Sequence, residues 1–206
     1  ETDSTRVDIY GVTGSIITGG AADEILLGGN TADTLFGNAG RDVLLGQSGG
    51  DALYGGEGAD RLEGGTDADT LSGGAGSDVL LGGAGNDALS GGLGADIFRW
   101  ELADAGASTV DTITDFDTTT GSDQLDLRDL LQGEIGSGVG NNLENYLHFE
   151  YSGSNTTVHI SSSGGFAGGY APGAEDQTIL ISGVNLIGSF TTDQQIIQDL
   201  LNKGKL

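Results

Sequence analysis

From Gly19 to Arg99 the chain repeats every nine residues without an insertion. The units read GGAADEILL, GGNTADTLF, GNAGRDVLL, GQSGGDALY, GGEGADRLE, GGTDADTLS, GGAGSDVLL, GGAGNDALS and GGLGADIFR. Glycine always stands first. The eighth position is Leu26, Leu35, Leu44, Leu53, Leu62, Leu71, Leu80, Leu89 and Phe98. The sixth is Glu24, then Asp33, Asp42, Asp51, Asp60, Asp69, Asp78, Asp87 and Asp96. A period this strict dictates a solenoid, in which each unit buries its apolar side only by stacking on its neighbours.

The path of the chain follows from the residue types. Glycines at positions one, two and four allow φ > 0, so six residues close a tight loop. The remaining three form a short strand whose middle residue faces one way and whose neighbours face the other. The leucine at position eight therefore points inward. Two units make a turn of eighteen residues with a loop on each side. Stacked turns lie ~4.8 Å apart, so the repeat is a rod roughly 20 Å long. The expected fold is all-β, a parallel β-roll. A break is expected at Asp67, which replaces the glycine at position four of its unit and tolerates φ > 0.

Stacking also lines up the acids. One row holds Asp33, Asp51, Asp69 and Asp87. The other holds Asp42, Asp60, Asp78 and Asp96, with Asp23 and Glu24 at its start. Such rows repel themselves unless a cation sits between the rungs. Carboxylates and loop carbonyls, with Gly56, Gly58, Gly74, Gly76, Gly83 and Gly85 as candidates, give an all-oxygen cage of roughly six ligands. That suits Ca²⁺ better than Mg²⁺, which dehydrates reluctantly, or Zn²⁺, which prefers nitrogen and sulfur. Counting gaps predicts about seven ions in a calcium-stapled β-solenoid. Acids on ordinary surface turns would need neither this phase nor an inward leucine. Glu24 is the least certain rung, because its side chain is longer and Asp23 stands beside it.

Composition agrees with a cation-dependent fold. The formal charge over 206 residues is −24, a field that repels nucleic acid and anionic lipid and attracts cations. There is no cysteine, hence no disulfide and no thiolate metal site. A core one leucine wide does not hold a roll alone, so the roll is expected to be loose without Ca²⁺. There is no methionine, so the chain is expected to be a piece of a longer protein. No apolar run is long enough to span a membrane, and any export address is expected upstream or at the C-terminus.

The two outward faces differ. One carries Ile25/Leu27, Val43/Leu45, Arg61/Glu63, Val79/Leu81 and Ile97/Arg99, and is apolar enough that the C-terminal region or a partner is expected to cover it. The other carries Thr34/Phe36, Ala52/Tyr54, Thr70/Ser72 and Ala88/Ser90. Residues 1–18, with a strand-like run Val7–Tyr10, are expected to cap or link the roll, which occupies 19–99. Residues 100–206 are expected to form a β-rich cap. Its strands are expected at Val110–Phe116, Gln124–Leu127, Tyr146–Tyr151, Thr156–Ser161 and Gln177–Ser182. A short helix is expected around Leu127–Gln132 and a loop over Gly133–Asn142. A short terminal helix, capped by Thr192 or Asp193, shows the stripe Ile196, Ile197, Leu200, Leu201. Asp115, Asp117 and Asp123 are candidates for one more Ca²⁺ at the capping end, against plain turn and strand-edge acids.

The nonapeptides resemble those of RTX (repeats-in-toxin) proteins. The runs Asp96-Ile97-Phe98-Arg99-Trp100, Asp111-Thr112-Ile113-Thr114-Asp115-Phe116-Asp117 and Asp123-Gln124-Leu125-Asp126-Leu127-Arg128-Asp129-Leu130-Leu131 look like the C-terminal target domain of large RTX adhesins of Gram-negative bacteria. Tyr146-Leu147-His148-Phe149 and Gln177-Thr178-Ile179-Leu180-Ile181 fit the same pattern. The resemblance implies a non-enzymatic module serving cell adhesion and biofilm formation at the bacterial cell surface. It implies a C-terminal signal read by a type I secretion apparatus, an ABC transporter complex, with extracellular Ca²⁺ folding the exported chain as a monomer. Lys203 and Lys205 are unusual beside an acidic signal.

Three rival readings compete for the same residues. The chain could be the tail of a secreted RTX protease or lipase, and the residues before Glu1 would decide. Gly46-Gln47-Ser48-Gly49-Gly50 matches G-x-S-x-G, but an esterase elbow needs a strand–turn–helix context and a partner histidine. An ice-binding solenoid needs a regular Thr/Asn ladder, and positions three to five vary too much. Sugar binding has no aromatic platform visible in the sequence.

Overall fold

Leucine at every ninth residue and glycine at every loop wind the chain into two parallel sheets that face each other across a single file of side chains. The computed structural model describes residues 6–8, 14–102, 109–119, 122–131, 143–163, 165–188, 190–203 and 206, with the backbone alone at 6–8 and 202. Its strands are β1 (Arg6–Asp8), β2 (Ile16–Thr18), β3 (Ile25–Gly29), β4 (Thr34–Ala39), β5 (Val43–Ser48), β6 (Ala52–Glu57), β7 (Arg61–Thr66), β8 (Thr70–Ala75), β9 (Val79–Ala84), β10 (Ala88–Leu93) and β11 (Ile97–Arg99). After the repeat come β12 (Thr109–Ile113), β13 (Gln124–Asp126), β14 (Leu147–Ser152), β15 (Asn155–Ile160), β16 (Gln177–Ile181) and one helix, α1 (Asp193–Lys203).

Odd strands form one sheet in the order β1-β3-β5-β7-β9-β11-β13. Even strands form the other, ordered β14-β15-β16-β12-β10-β8-β6-β4-β2. Register is eighteen residues throughout the repeat, with Leu44 beside Leu62 and Leu53 beside Leu71. Every leucine at position eight is buried, as is Phe98. The fold is the parallel β-roll expected.

The strands are longer than the three residues the pattern suggests. Most repeat strands run six residues, through the leucine and on into the next unit's glycines, because Gly56 pairs with Gly74 and Gly65 with Gly83. Asp67 takes φ 79°, the irregularity anticipated. Asn38 and Gln47, which replace the second glycine of their units, are also left-handed at 74° and 82°.

The C-terminal segment continues the roll. β12 extends the even sheet beyond β10, and β13 extends the odd sheet beyond β11. β16 pairs with β12, and the β14–β15 hairpin adds two antiparallel strands outside it. Ile113, Leu125, Leu147, Val158, Ile160, Ile179 and Ile181 join the leucine file in one core. Residues 128–131 form a turn where a helix was expected; one helical bond, Leu131 N–H to the Leu127 carbonyl at 3.1 Å, is present, and 132 lies outside the described residues. The loop expected at 133–142 also lies outside them. In α1, Ile196, Ile197 and Leu200 are buried while Leu201 is 39% exposed. Gln195 N–H reaches the Thr192 hydroxyl at 3.4 Å as the first turn begins.

Among the described C-terminal strands, β13 closes the odd sheet, and β12, β14, β15 and β16 lie at the far end of the even sheet. On the outward face of the odd sheet Leu27 and Leu81 are buried, while Ile25 is 37% exposed. On the even sheet, eighteen-residue spacing stacks Phe36 on Tyr54 with centroids 5.0 Å apart, an aromatic pair that the sequence reading did not foresee.

Candidate metal centre

Each aspartate at position six sits just before a strand, where the loop turns inward, and is almost fully buried. Its two oxygens have separate environments. Oδ1 accepts the backbone N–H of the acidic residue one turn earlier. The bonds run from Glu24 to Asp42, Asp33 to Asp51, Asp42 to Asp60, Asp51 to Asp69, Asp60 to Asp78, Asp69 to Asp87 and Asp78 to Asp96, at 2.7–2.9 Å. Oδ2 points into the loop of its own unit, beside the first glycine, where a Cβ at Gly46 would lie 2.3 Å from Asp51 Oδ2 and one at Gly64 2.3 Å from Asp69 Oδ2. The Oδ2 atoms of Asp42, Asp51, Asp60, Asp69, Asp78 and Asp96 are buried and accept no hydrogen bond.

Buried carboxylate oxygens without donors are costly. Burial first, and then neighbouring carboxylates, push Asp42 and Asp51 up to about 6 and Asp69 and Asp78 up to about 7; Asp60 and Asp96 move the same way. A divalent cation bound at Oδ2 removes that penalty. Among the described residues no group of three or more histidine, cysteine or acidic side chains is arranged to hold an ion. Each rung supplies one carboxylate, so an ion held there would take its other donors from backbone carbonyls, the donor set of a hard oxygen-seeking ion.

The loop glycines are required by packing as well as by angle. Gly56, Gly58, Gly74, Gly76 and Gly83 have φ of 115°, 128°, 111°, 145° and 99°. The Gly58 carbonyl lies so close to Gly76 that a Cβ there would be 1.6 Å from the oxygen, and the Gly56 carbonyl stands 2.2 Å from a Cβ at Gly74. A Cβ at Gly85 would meet the Asp67 carbonyl at 2.0 Å.

At the N-terminal end Glu24 occupies the ladder position. Its Oε2 turns back to accept Gly20 N–H at 2.9 Å. Asp23 lies outside the row in an ion pair with Arg41 at 2.8 Å, and the Arg41 backbone N–H, then its guanidinium, hold the Asp23 carboxyl below its ordinary range.

At the other end the rows run past the repeat. Asp87 N–H donates to Asp111 Oδ1 at 2.9 Å, and Asp96 N–H to Asp123 Oδ1 at 3.1 Å. Their second oxygens meet protein donors. Asp111 Oδ2 accepts the Trp100 indole N–H at 2.6 Å and the Gln177 amide at 2.9 Å, and Asp123 Oδ2 accepts Asp117 N–H at 2.8 Å. Protein donors thus reach the second oxygens at this end, which along the roll, at Asp42, Asp51, Asp60, Asp69, Asp78 and Asp96, accept no hydrogen bond. Asp115 binds Gly91 N–H, Gly92 N–H and the Ser90 hydroxyl. Asp115, Asp117 and Asp123 are therefore not gathered into one cage.

Asp111 as a rung was missed because spacing stretches from eighteen residues to 24 between Asp87 and Asp111, and to 27 between Asp96 and Asp123. The surviving signal is an acid two residues before a buried aliphatic, Asp111-Thr112-Ile113 and Asp123-Gln124-Leu125. The Gly46–Gly50 run lies across β5 and the following roll loop, with β6 rather than a helix after it.

The profile of the RTX calcium-binding nonapeptide repeat, built of four copies, matches residues 18–53, 27–62 and 63–98. Among solved structures, the chain is similar to the AlgE6R3 subunit of the Azotobacter vinelandii mannuronan C5-epimerase, with 32% identity over 64% of this chain and 70% of that one and a TM-score of 0.45. It also matches the extracellular lipase LipA of Serratia marcescens, with 16% identity over 91% of this chain and 40% of the lipase and a TM-score of 0.33. No curated protein matches it. With nine nonapeptides in unbroken phase and the profile spanning them, the chain belongs to the RTX calcium-binding nonapeptide repeat family.

Proposed function

We propose that this chain is a calcium-dependent folding module at the C-terminus of a type I-secreted RTX adhesin. It leaves the cell unfolded through an ABC transporter complex and becomes a roll where external Ca²⁺ is plentiful. One observation carries the reading: in both files of buried aspartates, at Asp51 and Asp69 in one and Asp42, Asp60, Asp78 and Asp96 in the other, Oδ2 accepts no hydrogen bond. At cytosolic Ca²⁺ their repulsion and desolvation oppose stacking over a core one leucine wide. Millimolar external Ca²⁺ matches the affinities of extracellular oxygen-ligand modules, ~0.1–1 mM.

The ligands in this reading are Asp33, Asp42, Asp51, Asp60, Asp69, Asp78, Asp87 and Asp96, with loop carbonyls including those of Gly56, Gly58, Gly74, Gly76, Gly83 and Gly85. About seven ions are bound, and the Glu24 end is the weakest because Gly20 N–H already uses its carboxylate. Residues 1–18 serve as cap or linker, 19–99 as the roll, and 100–206 as the C-terminal cap and secretion-signal region. The adhesin context is supported by the motifs after the repeat.

Circular dichroism and calorimetry test this together. In EDTA the roll's sheet signal is absent; added Ca²⁺ restores it with about seven ions per chain. An intact sheet in EDTA overturns the reading.

A further inference from the structure

A cavity of about 690 Å³ lies in the cap, and no aspartate of the two rows lines it. Its walls come from the 3-10 turn Leu143–Asn145, the start of β14, the segments around Tyr170 and Phe190, and the first turn of α1. Phe149, Phe166, Tyr170 and Phe190 bring aromatic rings to it, and Glu144 and Asp193 bring carboxylates. No lysine or arginine is among the described residues that line it.

These walls are held by contacts within the protein. Phe166 N–H donates to the Asn145 carbonyl at 3.0 Å, which ties that segment to the Glu144 turn. Tyr170 stacks on His148 at 4.0 Å and meets Phe166 edge-on at 5.3 Å. Phe190 N–H donates to the Ile187 carbonyl at 3.0 Å, and its ring packs against the core. Asp193 is already engaged: Oδ1 accepts Phe149 N–H at 3.0 Å, and Oδ2 lies 2.8 Å from His148 Nδ1. Glu144 differs, because its Oε2 is buried and has no hydrogen-bond partner.

We propose that this cavity binds an organic cation, an alkylated ammonium, with Glu144 as its counter-charge. A buried carboxylate oxygen without a donor is costly, and a cation beside it removes the cost. Aromatic rings attract such a cation through their negative faces and shelter its alkyl groups from water. A metal ion fits less well. It needs several ligands at once, and no group of three histidine, cysteine or acidic side chains among the described residues is placed to supply them. An anion fits no better. The first turn of α1 lines the cavity, but Thr192 Oγ1 already accepts Gln195 N–H at 3.4 Å and Gln195 Oε1 accepts Thr191 N–H at 3.1 Å, while Asp193 adds negative charge there. The formal charge of −24 draws cations towards the chain as well. Walls already in place spare the ligand the cost of ordering them.

The test titrates the full chain, folded in excess Ca²⁺, with choline and separately with the uncharged isostere of choline in which carbon replaces nitrogen. Calorimetry and the NMR shifts of Phe166, Tyr170 and Phe190 report binding. Choline is expected to bind once per chain, at least tenfold tighter than the uncharged isostere, a comparison that needs no variant. Glu144→Gln removes the charge and weakens choline at least tenfold while leaving the uncharged isostere unaffected. The buried Glu144 oxygen has no partner in the fold, so the Ca²⁺-induced folding of this variant, read by circular dichroism, stays as in the parent. Phe190→Ala weakens choline in a chain whose Glu144 is intact. No saturable binding at millimolar choline, equal binding of the two probes, or choline binding that survives Glu144→Gln overturns the proposal.

Discussion

An aspartate at position six divides its work between its oxygens. In Asp69, Oδ1 accepts the backbone N–H of the turn before it, and Oδ2 is buried without a hydrogen bond. The two roles separate in Asp69→Asn, which keeps an oxygen for the Asp51 N–H and removes the charge. Burial and neighbouring carboxylates raise Asp69 from 3.8 to about 7, so the metal-free roll gains on the order of 2–4 kcal/mol from this change. The same substitution weakens Ca²⁺ binding. Denaturant melts with EDTA and with Ca²⁺ should shift in opposite directions. These roles were half legible: a fixed period identifies the rows, but nothing in a sequence says which oxygen the backbone takes. Asp111 escaped because Trp100 and Gln177, which close its Oδ2, come from a neighbouring segment and a distant strand.

Strands and loops alternate within each nonapeptide, and the boundary between them is set by glycine. The pattern predicts three-residue strands; pairing of glycine with glycine one turn on extends them to six. A Cβ at Gly76 would lie 1.6 Å from the Gly58 carbonyl, and φ there is 145°. Gly76→Ala is therefore expected to cost several kcal/mol, above the 1–3 kcal/mol of left-handed strain alone, seen as a higher Ca²⁺ midpoint for folding. Gly153→Ala is the matched control, because a Cβ there meets nothing within 4 Å although φ is 68°. The hairpin and terminal helix were legible from alternation and from the 3.6-residue stripe. The helix expected at Leu127 was not realised: Leu127, Leu130 and Leu131 are all buried, and a turn delivers them to the core without a full helical run.

Across the molecule the aspartates titrate together, which gives stability a pH dependence of definite sign. Unfolded carboxyls have a pKa of 3.8, while Asp42, Asp51, Asp69 and Asp78 reach about 6 to 7 in the roll. Between those values the folded state binds more protons than the unfolded one. Lowering the pH from 7 towards 4 therefore stabilises the metal-free roll, and that gain is lost as pH rises through the folded pKa values. Protons and Ca²⁺ compete for the same oxygens, so Ca²⁺ affinity falls over the same window. Melting curves in EDTA at successive pH values, beside Ca²⁺ titrations at the same values, check both halves.

The eighteen-residue register also gives the roll a parity. Consecutive units alternate between the sheets, so excising residues 46–63 keeps every remaining unit on its own side and brings Leu35 against Leu71. Excising only 46–54 puts everything before the cut half a turn out of phase and sets Leu35 against Leu62, mixing the aliphatic outward face with the Thr/Ser face. The larger deletion should melt higher in Ca²⁺ than the smaller one. A chain built this way lengthens or shortens in pairs of units. An odd step would also swing whatever lies upstream to the opposite side of the rod.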